Sequence, residues 1–325
     1  MKIGILGAGG IAHTVAGTLV KTERIQVRAV AARELSRAQA FAAEFGCEKA
    51  YGSYAELVSD PEVELIYVAT PHSHHYEHVK LCLEHGKHVL CEKAFTMNTA
   101  QAEELIALAR EKQLYLAEAI WTRYMPSRAL IRQVLDSGII GRPNVLTANL
   151  GYPISWRKRI MDPALAGGAL LDLGVYGLNF ARMNFDGEPE RIESSVRMSG
   201  TGIDENETIT MFYPDGRMAV LVHGIYAQSD RKGVIYGENG YLVVHNTNNP
   251  QAVDVFDVND RLLEHHPIPP QITGYEYEFY EAEDAIRQGL LEAPSMPLSE
   301  TLYIMRLMDA LRKSWGLVYP QEQEA

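Results

Sequence analysis

Over the first 120 positions the apolar residues fall in short unbroken runs, and the stretches between them carry helical spacing. "KIGILGA", "VRAVAA", "LIYVAT", "HVLCEK" and "YLAEA" are apolar on both alternations, as strands of a parallel sheet covered on both faces require. Between them "IAHTVAGTLVK", "SRAQAFAAEFG", the segment Tyr76 to Gly86, and "NTAQAEELIALAREK" repeat their apolar positions with a helical period. Gly46 and Gly86 stand where two of these helices should stop. The alternation predicts a doubly wound parallel sheet over residues 1–120.

Beyond Gly141 the pattern changes. "NVLTANLGY", "RIESSVRMSG", "ETITMFYP", "MAVLVHGIYA", "KGVIYGENGYLVVHN" and "AVDVFDV" read as strands separated by turns such as "YPDG" and "GENG". Two helices are predicted to follow, Tyr275 to Leu291 and Leu298 to Trp315. Residues 121–325 are therefore expected to form an α+β domain built on a large, mostly antiparallel sheet, and no repeat or low-complexity tract interrupts it.

Composition narrows the function classes. A chain of 325 residues suits two domains, and 46% hydrophobic with 22% charged residues is ordinary for a globular enzyme. The net charge of -12 disfavours nucleic acid or an anionic membrane as a general partner. No apolar run approaches the ~20 residues of a membrane span. The first residues run from an apolar stretch straight into glycines, unlike a signal peptide. Cys47, Cys82 and Cys91 are odd in number and unevenly spaced, which points to reduced thiols and a cytoplasmic location.

The first chemical motif is "GILGAGGIA". Gly7, Gly9 and Ala12 form G-x-G-x-x-A after a strand, with Gly10 and Ile11 opening the next helix. Gly7 permits a tight turn, Gly9 a close approach to a pyrophosphate, and Ala12 close helix–strand packing, the pattern of a dinucleotide-binding Rossmann domain. At the second strand's tip NAD binders usually hold an acid for the ribose. Here Ala32 and Arg33 stand in its place, with Arg37 one turn later, so the expected cofactor is NADP, with NAD possible. Arg37 reads equally as a solvated surface arginine, and Glu34 is close to both.

Thr70, Pro71, His72 and His75, in "VATPHSHHYEHV", sit where the next strand delivers its tip into the cofactor crevice. His74 and His78 are spaced i,i+4, but no cysteine or carboxylate cluster completes a ligand shell, so no metal is expected. "CEK" ends a later strand and places Glu92 and Lys93 in the same crevice. Lys93, partly buried and facing the oxidised nicotinamide, is suited to exchange a proton near neutral pH. A plain Glu–Lys salt bridge across a loop is the competing structural reading.

"GxGxxA", "ATPHSHHYEH", "CEKAFT", "EAIWTRYMP" and "GGALLDLGVYGL" occur in that order. Together they resemble the glucose-fructose oxidoreductase/inositol dehydrogenase/MocA family, nearest its trans-dihydrodiol dehydrogenase and NADP-dependent D-xylose dehydrogenase branch. The resemblance spans nearly the whole chain and implies a Rossmann domain followed by an open-sheet domain through which many members dimerise. It implies that Lys93 assists proton transfer, although Ala94 stands where relatives have proline. Asp172 then matches a substrate-contacting aspartate, and Tyr176, four residues on, matches the tyrosine acid/base of the dihydrodiol branch. On a helix, i and i+4 would share one face. Trp121 and Arg123 match cofactor- and substrate-adjacent positions; without the resemblance Trp121 reads as core and "DLGVY" as the start of an amphipathic helix. Tyr152 is a further candidate pocket residue. The basic run "SWRKRIMDP" reads as a lid or substrate rim, with a solvated loop as the default.

These readings predict an NADP-favouring oxidoreductase that moves hydride to or from a carbinol carbon of a cyclic polyol, a pyranose sugar first and a trans-dihydrodiol as the alternative. A catalytically silent NADPH-sensing regulator is the alternative of another class; it would need the glycine loop but not Lys93, Asp172 and Tyr176. A homodimer or larger homo-oligomer is expected.

Overall fold

The computed structural model describes residues 1–323. The chain folds into two compact units. One comprises Met1–Tyr124 with Gln271–Arg306, the other Met125–Pro270 with the chain from Leu307 onward. The stretch 121–325, expected as one domain, thus contributes to both units. Local patterning carries no mark of this return, because it is made by contacts far apart in sequence. Leu116 N–H donates to Leu291 O at 3.0 Å, Arg24 pairs with Glu283 at 2.9 Å, and Phe279 packs edge-on against Tyr67.

In the first unit the strands are β1 (Lys2–Leu6), β2 (Gln26–Ala31), β3 (Lys49–Tyr51), β4 (Leu65–Val68), β5 (His88–Glu92) and β6 (Leu116–Ala119). All are parallel, in the order β3-β2-β1-β4-β5-β6. β3 escapes the sequence reading because its three residues "KAY" are only half-buried and make no apolar run. The other five are buried along nearly their whole length, as two-sided cover demands. Gly46 and Gly86 do end helices, with φ of 71° and 72°, a conformation that costs glycine little. The strand order reverses between β1 and β4, so the ligand crevice of such a sheet lies beyond the carboxyl ends of these strands.

In the second unit the strands are β7 (Pro143–Gly151), β8 (Arg191–Met198), β9 (Asp204–Phe212), β10 (Met218–Gly224), β11 (Gly233–Gly237), β12 (Gly240–His245), β13 (Ala252–Asp257) and β14 (Leu262–Pro267). The sheet runs β14-β13-β12-β11-β7-β10-β9-β8 and is antiparallel except where β10 meets β7. β14, "LLEHHP", is an exposed edge strand whose polar residues hide it from pattern reading. One face of the sheet is covered by the π-helical segment Leu170–Gly174 and the helix Val175–Asn184. The other face bears an open groove of about 770 Å³, with Val196, Val222 and Ala227 among its lining. Pro163–Asn184 is 22 residues long, and its most apolar 18-residue stretch has a mean hydropathy of 1.3, enough by length and composition alone for a membrane span. Of its most apolar stretch, 89% is buried inside the protein, which makes it a core element.

Candidate active site

In the first unit the glycine loop has the shape its sequence predicts. Gly7 has φ +105°, and a Cβ there would press on Ala69 O at 3.0 Å, so no other residue fits without strain. Gly9 precedes the helix Gly10–Leu19 with no side chain capping its N–H groups, and a Cβ at Gly10 would meet nothing within 4 Å. Ala12 is fully buried against the sheet. Ile11 and Gly10 open the helix itself. The loop therefore offers uncapped N–H groups, open space and a helix N-terminus to an anion, which fits a dinucleotide pyrophosphate.

Arg33 and Arg37 are both exposed beyond the tip of β2. Arg37 is not merely solvated: its Nη2 donates to Ala8 O, inside the glycine loop, at 3.2 Å. Both guanidiniums act electrostatically on the Tyr54 phenol, whose pKa is nevertheless raised by burial.

Past β4 the four histidines are individually engaged. Thr70 Oγ1 lies 2.9 Å from His78 Nδ1, and Ser73 Oγ lies 2.8 Å from His74 Nδ1. His75 follows Pro71 and His72 and is wholly buried, with Nε2 2.7 Å from Thr70 O and Nδ1 2.9 Å from Ala94 O. Burial draws its pKa down to about 4, so the neutral ring donates to one carbonyl at a time and braces the β4 tip against the Lys93–Ala94 loop. Among the described residues no group of three or more His, Cys, Asp or Glu is arranged to hold a metal.

At the tip of β5, Glu92 is buried and accepts from the Tyr67 hydroxyl and, at 3.3 Å, from Lys93 N–H. Lys93 is half-exposed, and its peptide bond to Ala94 is cis. After β6, Trp121 stacks on Tyr275 with ring centroids 4.0 Å apart. Arg123 is buried and pairs with Glu300 at 3.0 Å. Glu118, in β6 opposite Cys91 of β5, is buried, and burial lifts its pKa to about 7.

In the second unit Asp172 and Tyr176 are both buried, at 4% and 7% exposure. They do not share one α-helical turn as expected. Asp172 lies in the π segment Leu170–Gly174, and the α-helix begins at Val175. The wider π turn changes the angle between the two side chains from the α-helical one, and such turns recur at functional sites. Arg159 belongs to the basic run that reads as a lid or substrate rim, with a solvated loop as the default. Its guanidinium forks onto Asp172, Nη1 to Oδ1 at 3.0 Å and Nη2 to Oδ2 at 3.4 Å. Tyr152 accepts from Arg231 at 3.1 Å and donates to Asn248 at 3.2 Å.

A doubly wound sheet with a glycine-rich first turn, joined to a second unit carrying a clamped aspartate and a tyrosine, defines the class as a nicotinamide-dinucleotide oxidoreductase. Comparison with known proteins bears this out. Residues 1–119 match the oxidoreductase family with an NAD-binding Rossmann fold, and residues 129–243 match the GFO/IDH/MocA C-terminal domain. The chain is 37% identical over 337 residues to trans-1,2-dihydrobenzene-1,2-diol dehydrogenase of Mus musculus, covering 99% of each chain. It is 36% identical over 332 residues to the Homo sapiens enzyme of that name, again covering 99% of each. Among solved structures, a 3-ketoreductase from Actinomadura kijaniata in complex with NADP and TDP-benzene superposes with a TM-score of 0.87 at 26% identity, covering 96% of this chain and 97% of that one. The aldose-aldose oxidoreductase of Caulobacter crescentus shares the fold, with a TM-score of 0.85 at 20% identity and 97% of each chain covered. The chain belongs to the GFO/IDH/MocA family and is an NAD(P)-dependent dehydrogenase acting on a CH–OH group.

Proposed function

We propose that the substrate is a six-membered ring bearing adjacent hydroxyls, a trans-dihydrodiol or a pyranose sugar, and that NADP is the preferred cofactor. Asp172 carries this reading: a buried carboxylate held by the Arg159 fork, four residues before a buried tyrosine. Adjacent hydroxyls give such a pair two handles, one for Asp172 to orient and one for Tyr176 to deprotonate. The whole-length relatives favour the dihydrodiol.

The dinucleotide, when bound, supplies the hydride acceptor or donor; Gly7, Gly9, Gly10, Ile11 and Ala12 would hold its phosphates and Arg33 its 2′-phosphate. Tyr176 takes the hydroxyl proton in the oxidative direction. Lys93, at the tip of β5, is the second side chain we assign to proton transfer in this reaction. Asp172 keeps the ring in line for the transfer. A silent NADPH sensor would have no use for Lys93, Asp172 and Tyr176 together. The cytoplasm, where thiols such as Cys47, Cys82 and Cys91 stay reduced, is the proposed location, and the proposed assembly is a homodimer on the open face of the large sheet.

Tyr176→Phe keeps the ring and removes the proton carrier. With NADP and trans-1,2-dihydrobenzene-1,2-diol it should lower kcat by about 10²–10⁴-fold with NADP binding retained. Lys93→Met should be comparably damaging. Near wild-type turnover in Tyr176→Phe would reduce Tyr176 to a packing residue.

A further inference from the structure

Beneath the segment carrying Asp172 and Tyr176 lies a polar cluster that the reaction as described leaves unused. Asp204 and Glu207 on β9 and His223 on β10 are buried to 2% exposure or less. Glu207 and His223 are direct cross-strand partners, with Oε1 2.9 Å from Nδ1. Asp204 and Glu207 are three apart, a spacing that would normally put them on opposite faces of a strand. The pairing with β8 shifts here: Met198 meets Asp204 and Arg197 meets Asn206, leaving Glu205 as a bulged extra residue. The bulge turns Asp204 to the face that Glu207 occupies.

The overlying backbone is fitted to these three side chains. Leu170 N–H, at the start of the π segment, donates to Asp204 Oδ2 at 2.5 Å. A Cβ at Gly168 would collide with Asp204 Oδ1, one at Gly174 with Glu207 Oε1, and one at Gly177 with His223 Nε2. Three glycines of "GGALLDLGVYGL" thus lie each on one member of the cluster.

Asp204 Oδ1 and Glu207 Oε2 have no hydrogen-bond partner among the described residues if both carboxyls are ionised, and His223 Nε2 has none in either state. A proton held between the two carboxyls supplies the missing donor. Burial, with repulsion from Glu207, pushes Asp204 up to about 7, and burial pushes Glu207 up to about 8. Burial pushes His223 down to about 3, so its ring is neutral at ordinary pH. The other ionisable groups on this side are Tyr319, whose hydroxyl donates to Gly167 O at 2.9 Å, Arg312 over the Tyr319 ring, and the Asp172–Arg159 pair. Glu205 is turned to Tyr226 and Arg197.

We propose that Asp204, Glu207 and His223 are positioning residues for the dehydrogenase reaction: a proton-sharing acid–acid–imidazole seat on which the π segment docks through Gly168, Gly174 and Gly177, setting where Asp172 and Tyr176 stand. This rests on the assignment of Asp172 and Tyr176 to the substrate. The seat is complete while its proton is present. Losing that proton, as pH rises past the raised carboxyl values, puts two negative charges under the segment.

The test is steady-state kinetics with NADP and trans-1,2-dihydrobenzene-1,2-diol, alongside NADP titration and circular dichroism. Gly177→Ala, forced against His223, should lower kcat about ten-fold or more while NADP affinity stays within about two-fold. Glu207→Gln keeps the shape and replaces the shared proton with a permanent N–H donor. Its kcat relative to wild type should rise about three-fold or more between about pH 6 and about pH 9. This ratio decides the matter if Gly177→Ala does not fold. A ratio flat across that range overturns the seat, as does a folded Gly177→Ala with wild-type kcat. Tyr176→Phe, run in parallel, separates the two ideas. Retained turnover there overturns the site assignment, whereas lost turnover with a flat Glu207→Gln ratio overturns the seat alone.

Discussion

Replacing Arg159 with leucine removes the guanidinium fork from Asp172 and leaves the carboxylate to its remaining partners. The size of the effect follows from the geometry. Hydrogen bonds to a charged group contribute about 1.5–3 kcal/mol. The contact at 3.0 Å counts fully, whereas the one at 3.4 Å is long. Asp172 is nearly buried, but the Arg159 side chain is 39% exposed, so solvent screens the pair. About 1–2 kcal/mol remains, and if Asp172 holds the substrate this appears as a loss of about 5–30-fold in kcat/KM. Arg159→Lys keeps the charge but not the fork and should fall between wild type and Arg159→Leu. The assay is the initial rate with NADP and trans-1,2-dihydrobenzene-1,2-diol at low and high salt, the wild-type advantage shrinking at high salt. A folded Arg159→Leu enzyme with kcat/KM within about two-fold of wild type would refute the reasoning, because Asp172 would then be placed without its cation.

Two further outcomes are expected. Arg33→Ala should weaken NADP by about 1.5–3 kcal/mol while leaving NAD nearly unchanged, measured by fluorescence titration. Equal wild-type affinity for the two cofactors would defeat the assignment. Wild type should scatter light as a dimer or larger at micromolar concentration. Val222→Asp should shift it toward monomer, since Val222 is 45% exposed and lines the groove on the open sheet face. A monomeric wild type would remove the proposed interface.

The parts of the molecule legible from sequence are those whose causes are local. The buried runs of β1, β2, β4, β5 and β6 announce a two-sided parallel sheet because every alternation along them is apolar. Gly7 could be assigned its turn, and Gly46 and Gly86 their helix ends, because positive φ is a property of a single residue. The helix Leu298–Trp315 was legible from its periodicity alone. β3 and β14 carry no such mark, because short, half-wet strands owe their existence to a neighbour and not to their own pattern.

Sequence by itself determined the order of elements, the dinucleotide loop and the identity of the candidate chemical groups. Only tertiary structure decided what those groups touch. In sequence Arg159 is one of several basic residues in a run that reads as a lid, a substrate rim or a solvated loop; the fold lays it on Asp172, thirteen positions away. The return of Gln271–Arg306 to the first unit, and the meeting of Asp204, Glu207 and His223 beneath Gly168, Gly174 and Gly177, left no periodic trace. Both depend on contacts between distant segments and, for Asp204, on one bulged residue that reverses which face a side chain takes. Periodicity records how a segment faces water. It is blind to which buried polar group lies opposite another, because that is set by register and packing after the chain has closed on itself.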